Sequence, residues 1–185
     1  MKKLVSSLIV MGISFSGCGS EDNNNESSRY DLNDYMVSNT TITKYWDDYS
    51  LDSEHNIDST QINSSTTKEI ITTNNIKKIE YIDSVSYYTT NDNEIVIKFD
   101  NTELHLKRFA NIGETVMDGC VLNNYYASFR PMEGYNYSNV LEIKCDEESI
   151  YLSKYIGTIV ETGISTSYQS GETIKGYYMD LANNI

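Results

Sequence analysis

Two histidines, three cysteines and 27 acidic residues are the side chains of this 185-residue chain best suited to moving a proton or holding a metal. A hydrolytic triad needs a nucleophile, an imidazole base and an acid that orients the base. Only His55 and His105 could supply the imidazole. His105 falls opposite Val96 in a strand pattern, on the face carrying Lys98 and Glu103, and so reads as an ordinary solvated position. His55 lies in a Ser/Asn-rich stretch with no rigid scaffold to hold it. G-x-S-x-G, H-E-x-x-H and glycine-rich phosphate-loop motifs are absent. The run Asp52-Ser53-Glu54-His55-Asn56-Ile57-Asp58 alternates oxygen side chains as cation loops do. Ile57 stands where an EF-hand loop needs Gly, however, and Asn63 where it needs a bidentate Glu, so the default reading is a solvated acidic loop. A carboxylate pair of the glycosidase kind is uninformative here, because 27 acids always bring some pair together. No catalytic residue, metal site or cofactor is therefore assigned.

The 16 tyrosines offer a different chemistry, since a flat apolar ring with a polar tip suits a glycan or peptide groove. Tyr87, Tyr88, Tyr125, Tyr126, Tyr135, Tyr137, Tyr177 and Tyr178 are the candidate contacts. Adjacent tyrosines on a strand point to opposite faces, so one of each pair is expected in the core or on the sheet surface. The formal charge of −13, from 14 basic and 27 acidic residues, excludes nucleic acid and anionic lipid headgroups as electrostatic partners.

The most specific signal is N-terminal. Met1-Lys2-Lys3 is a short basic start, and Leu4 to Phe15 is an apolar stretch of 12 residues, too short to span a bilayer but as long as an export-signal core. It ends in Phe15-Ser16-Gly17-Cys18. These residues resemble the lipobox of bacterial lipoproteins, in which small residues precede a Cys that becomes lipidated and N-terminal after cleavage. The resemblance implies a signal peptide over 1–17, a lipid anchor on Cys18 and a cell-envelope location. An Asp after the lipidated Cys favours inner-membrane retention in that family; Gly19 stands here, which implies the outer membrane, on either its periplasmic or its surface face. An odd cysteine count in an exported chain flags one thiol with a separate job, leaving Cys120 and Cys145 as a pair in an oxidising compartment. Two His and a bridged pair are too few for a zinc site.

Composition divides the remainder. Residues 18–39 read as the lipidated Cys and a flexible acidic tether, and 40–66 as a soft segment. In that segment one strand (Thr40 to Trp46) precedes a long acidic loop from Asp47 to Ser65. Residues 67–185 hold 30 Leu, Ile, Val and Phe in 119 positions, against 6 in 48 over 19–66, so the core of a β domain is expected there. Glu94–Phe99 and Thr102–Lys107 fold about Asp100-Asn101 with Ile97 opposite Leu104, Ile95 opposite Leu106, and Lys98 opposite Glu103. Both faces agree on that register. A second hairpin about Pro131-Met132-Glu133-Gly134 sets Leu122 opposite Ile143, Tyr125 opposite Val140 and Cys120 opposite Cys145, predicting a cross-strand disulfide. A third turns over Asp146–Ser149 with Ile143 opposite Leu152, and a fourth at Ser170-Gly171. Ile76–Tyr88 supplies one or two more strands, and no helical periodicity follows the leader.

The expected fold is all-β, an antiparallel meander of hairpins forming a β-sandwich or barrel. The stretch Tyr137–Ile143 with Tyr151–Val160 resembles a C-terminal element of β-rich envelope lipoproteins of unassigned function, in which an N-V-L-x-I strand precedes an I-G-x-V exit. That resemblance implies fold and location, not mechanism. The functional expectation is a non-enzymatic envelope lipoprotein. Its tethered β domain either binds envelope protein or glycan, or carries a small apolar ligand inside a barrel; a hydrolase is the third possibility.

Overall fold

The computed structural model describes residues 29–36, 42–52, 54, 56–71, 76–80, 85–99, 102–169 and 172–183. Cys18, the leader, residues 19–28 of the tether, His55 and the turns at Asp100-Asn101 and Ser170-Gly171 lie outside the described residues. The expected tether of 18–39 is too long: within it Tyr30–Asp31 form a strand, β1, and Leu32–Tyr35 a 3-10 turn, because Leu32 and Tyr35 are apolar enough to be buried in the core.

Fourteen strands run in chain order: β1 (Tyr30–Asp31), β2 (Ile42–Leu51), β3 (Ile57–Ile71), β4 (Lys77–Glu80), β5 (Val85–Thr90), β6 (Glu94–Phe99) and β7 (Thr102–Lys107), then β8 (Phe109–Ala110), β9 (Thr115–Met117), β10 (Cys120–Phe129), β11 (Tyr137–Cys145), β12 (Glu148–Ser153), β13 (Gly157–Gln169) and β14 (Glu172–Asn183). Twelve form one antiparallel sheet in the order β7-β6-β5-β4-β3-β2-β14-β13-β12-β11-β10-β9. Its edge strands β7 and β9 come back within 8 Å of one another, so the sheet is a nearly closed barrel. The alternative of a two-layer sandwich is thereby decided.

The β6–β7 hairpin has the predicted register, with Ile97 opposite Leu104 and Lys98 opposite Glu103. Three more expectations need correction. The stretch from Asp47 to Ser65 is not a loop: β2 and β3 pair through it, leaving only a short turn after Leu51. Low aliphatic content misled there, because Thr, Ser and Tyr also fit a pleated strand paired on both sides. In the β10–β11 hairpin Cys120 faces Cys145 and Leu122 faces Ile143, but a bulge between Leu122 and Asn124 puts Tyr126, not Tyr125, opposite Val140. In the third hairpin Ile143 faces Ile150 rather than Leu152, since Asp146 adopts a left-handed φ of 46° and the turn closes over two residues. That slip of two residues leaves every side chain on its intended face.

A short segment ahead of β2 packs against the sheet at the β7–β8 junction. Leu32–Tyr35 forms a 3-10 turn that buries Leu32 and Tyr35 in the barrel, and β1 pairs with β8 beside it. Asp31 accepts hydrogen bonds from Arg108 Nε and Nη2, the shortest at 2.8 Å, while Leu32 N–H donates to Arg108 O at 2.7 Å. Thr90 Oγ1 donates to Asn33 Oδ1, and Tyr155 N–H to Asp34 O. This plug thus ties β5, the β7–β8 junction and the β12–β13 turn together.

The sheet buries both faces. Inside, Leu32, Ile95, Leu106, Leu122, Leu141 and Leu152 form one cluster. Outside, the ends of β10 and β11 and the turn joining them fold over β12–β14, with Val140, Val160, Met179 and Leu181 buried beneath Phe129, Met132 and Tyr137.

Cys120 and Cys145 are bonded across 25 residues of sequence. Replacing both with Ala is expected to lower unfolding free energy by about 3 kcal/mol, read from denaturant midpoints. A reductant should reproduce the loss in the parent protein and leave the double variant unmoved.

Candidate functional site

A cavity of about 420 Å³ lies inside the barrel. Ile97 and Leu106 wall one side, Ile143, Ile150 and Leu152 the other, and Met36 closes it from the plug. Phe99 also lines it while remaining 38% exposed, so this ring stands where the cavity meets solvent. Alternation on β5, β6, β7, β11 and β12 aims these side chains inward. The polar lining comes from Ser86, Tyr88, Thr158 and Glu161. A concave, mainly apolar space with few polar groups is the usual form of a small-molecule site.

Across one row of the sheet the interior changes character. Leu122, Ile143, Ile150, Glu161, Asp180 and Asp48 are consecutive cross-strand partners on β10, β11, β12, β13, β14 and β2. The row starts apolar and ends in three carboxyl groups. Burial, then Asp180 and Glu148, push the Glu161 carboxyl above its ordinary range, and the Lys44 ammonium pulls it back down. Burial and the neighbouring Asp48 push Asp180 up to about 6. Burial and Asp47 raise Asp48. Lys44 is fully buried on β2, next to the hydrogen bond from Trp46 Nε1 to Thr67 Oγ1 at 2.8 Å. Gly163 leaves room for this arrangement: a Cβ there would stand 2.8 Å from Glu148 Cγ and 2.9 Å from the Tyr178 ring. Glu161 and Asp180 shift in the same direction, whereas an acid–base pair needs environments that push the two apart.

A second carboxylate is buried on the outer face. Glu142 accepts from Tyr126 Oη at 2.9 Å, Asn123 Nδ2 at 3.0 Å, Ser149 Oγ at 3.1 Å and Tyr151 Oη at 3.4 Å. Phe129 stacks on Tyr151 with ring centroids 4.5 Å apart. These donors satisfy the buried carboxyl oxygens and fix the overlying aromatic rings.

The eight candidate tyrosines are divided between the two faces and do not share a groove. Tyr88 lines the cavity, and Tyr178 faces the interior acids, which with burial raise its pKa. Tyr125 stacks on Tyr30 of the plug at 5.5 Å and donates to Asn139 Oδ1. Tyr126, Tyr135 and Tyr137 pack in the outer cluster, Tyr137 donating to Ala182 O, with burial pushing its phenol up to about 12. Tyr177 pairs with Leu51 at the edge of that cluster, and Tyr87 is exposed on the outer wall. His105 is also on the outside, its ring nitrogens 2.9 Å from Glu94 and 3.3 Å from Glu103. In the acidic turn Asp52 Oδ1 accepts the N–H groups of Glu54 and Asn56, so that carboxylate caps the β2–β3 turn. Among the described residues no group of three or more His, Cys, Asp or Glu is arranged to hold a metal ion.

No protein family, curated protein or solved structure matches this chain. The site therefore rests on its own geometry. Sequence reasoning missed Glu161, Asp180, Asp48 and Lys44, because a charged residue alternating with apolar ones is ordinarily the solvated face of a strand. The available signal was Met179-Asp180-Leu181 beside Val160-Glu161. If the apolar members of both are covered from outside, the acids must face in.

A carboxyl whose folded pKa is raised binds its proton more tightly folded than unfolded. Between the ordinary 3.8 and about 6, folding therefore takes up protons at Asp180, and stability falls as pH rises through that window. Asp180→Asn is expected to raise the melting temperature by a few degrees near neutral pH, and to flatten its slope across this window, in thermal melts followed by circular dichroism. An unchanged slope would remove Asp180 as its source.

Proposed function

We propose that this protein is a non-enzymatic binder of a small apolar ligand, held in the barrel and tethered to the outer membrane through an acylated Cys18. The observation that carries the reading is the cavity of about 420 Å³, walled by aliphatic side chains and open beside Phe99. Large-to-small substitutions in protein cores are costly because the surroundings collapse only partly and leave a void, so an apolar space of this size in a stapled barrel argues for an occupant. Binding at the tyrosines is the less favoured reading, since they are spread over both faces and most already pack or hydrogen-bond within the fold.

Purified protein is expected to enhance the fluorescence of the neutral apolar probe diphenylhexatriene. Leu104→Trp, which fills the cavity from β7, should abolish the enhancement, while Tyr87→Ala on the outer wall leaves it unchanged. Probe binding that survives Leu104→Trp would overturn the reading. The tether is tested separately by the intact mass of protein extracted from membranes. The expected mass lacks residues 1–17 and includes added acyl chains, and a chain retaining its leader without lipid would refute the anchor.

A further inference from the structure

We infer that the ligand is an amphiphile with a protonated amine head, its tail filling the aliphatic cavity and its ammonium pairing with Glu161; this rests on the apolar-ligand reading above. Glu161 is the one carboxylate among the described residues lining the cavity, and it stands next to Ile150 in the cross-strand row. An ionised carboxylate in a poorly solvated wall is costly unless a cation pairs with it.

The groups around Glu161 decide which head fits. Asp180 and Tyr178 approach from β14, Glu148 from β12 and Lys44 from β2, with Asp48 next in the row beyond Asp180. Lys44 is fully buried and is not part of the lining, so a head entering the cavity meets Glu161 instead. A carboxylate head would add another negative charge beside Glu161, Asp180 and Glu148. An uncharged head would gain nothing from the charge of Glu161. An ammonium both neutralises it and donates hydrogen bonds. On another part of the wall Lys77 lies over the Tyr88 ring, 5.2 Å from its centroid. That cation makes a carboxylate-headed ligand the competing outcome.

The experiment is displacement of diphenylhexatriene from the full chain by dodecylamine, dodecanol and dodecanoate at neutral pH. Dodecylamine is expected to displace at about tenfold lower concentration than dodecanoate, and Glu161→Gln to remove most of that advantage while leaving dodecanol unchanged. Dodecanoate matching or beating the amine in the parent protein would overturn the inference, whether or not the variant folds. Equal weakening of all three by Glu161→Gln would do the same. Failure of the probe itself to bind would instead remove the underlying apolar-ligand reading, so the two failures are told apart.

Discussion

The barrel depends on how its seam is closed. A twelve-stranded sheet that almost meets itself leaves two edges, and open edges invite pairing with other chains. Here the two edges approach within 8 Å, and at the β7–β8 junction seven residues, Tyr30 to Met36, are clamped by the planar fork of Arg108 on Asp31 and by the Leu32 N–H on the Arg108 carbonyl. Arginine suits this position because its guanidinium meets both carboxylate oxygens at once, which a lysine cannot do. The same seven residues supply the buried Leu32 and Tyr35, and Met36 of the cavity wall.

A sheet buried on both sides inverts the usual meaning of polarity. On β13 and β14 the outward residues are apolar because the β10–β11 turn region lies over them, and the inward residues include carboxyl groups. The two buried acids are treated differently. Glu142 is surrounded by four neutral donors and is a satisfied structural node. Glu161 borders an open space and has mostly like charges around it. Enclosure by donors marks the first as part of the scaffold, and a place on the cavity wall makes the second reachable by a ligand.

Legibility in the sequence followed local pairing. The β6–β7 register could be read because apolar pairs on one face and charge pairs on the other demand the same alignment. The Cys120–Cys145 bond followed from a turn placed by Pro131 to Gly134. What could not be read depends on contacts between elements far apart in sequence: the pairing of β2 with β14, the seating of the plug, and the cover over β12–β14. The Asn123 bulge is a further example, since one extra residue serves Glu142 across the strand and leaves no periodic mark. The carboxyl row was invisible for the same reason, since its direction inward is set by the cover outside.

The plug also has a mechanical consequence. It precedes β2, the first strand of the large sheet, so a pull from its N-terminal side loads the Asp31–Arg108 fork before any strand of that sheet. The fork and the paired β1–β8 bridge resist together with two hydrophobic anchors, Leu32 and Tyr35. Peeling them away would draw Met36 off the cavity wall. Tension and access to the interior are thus joined through one short stretch of chain.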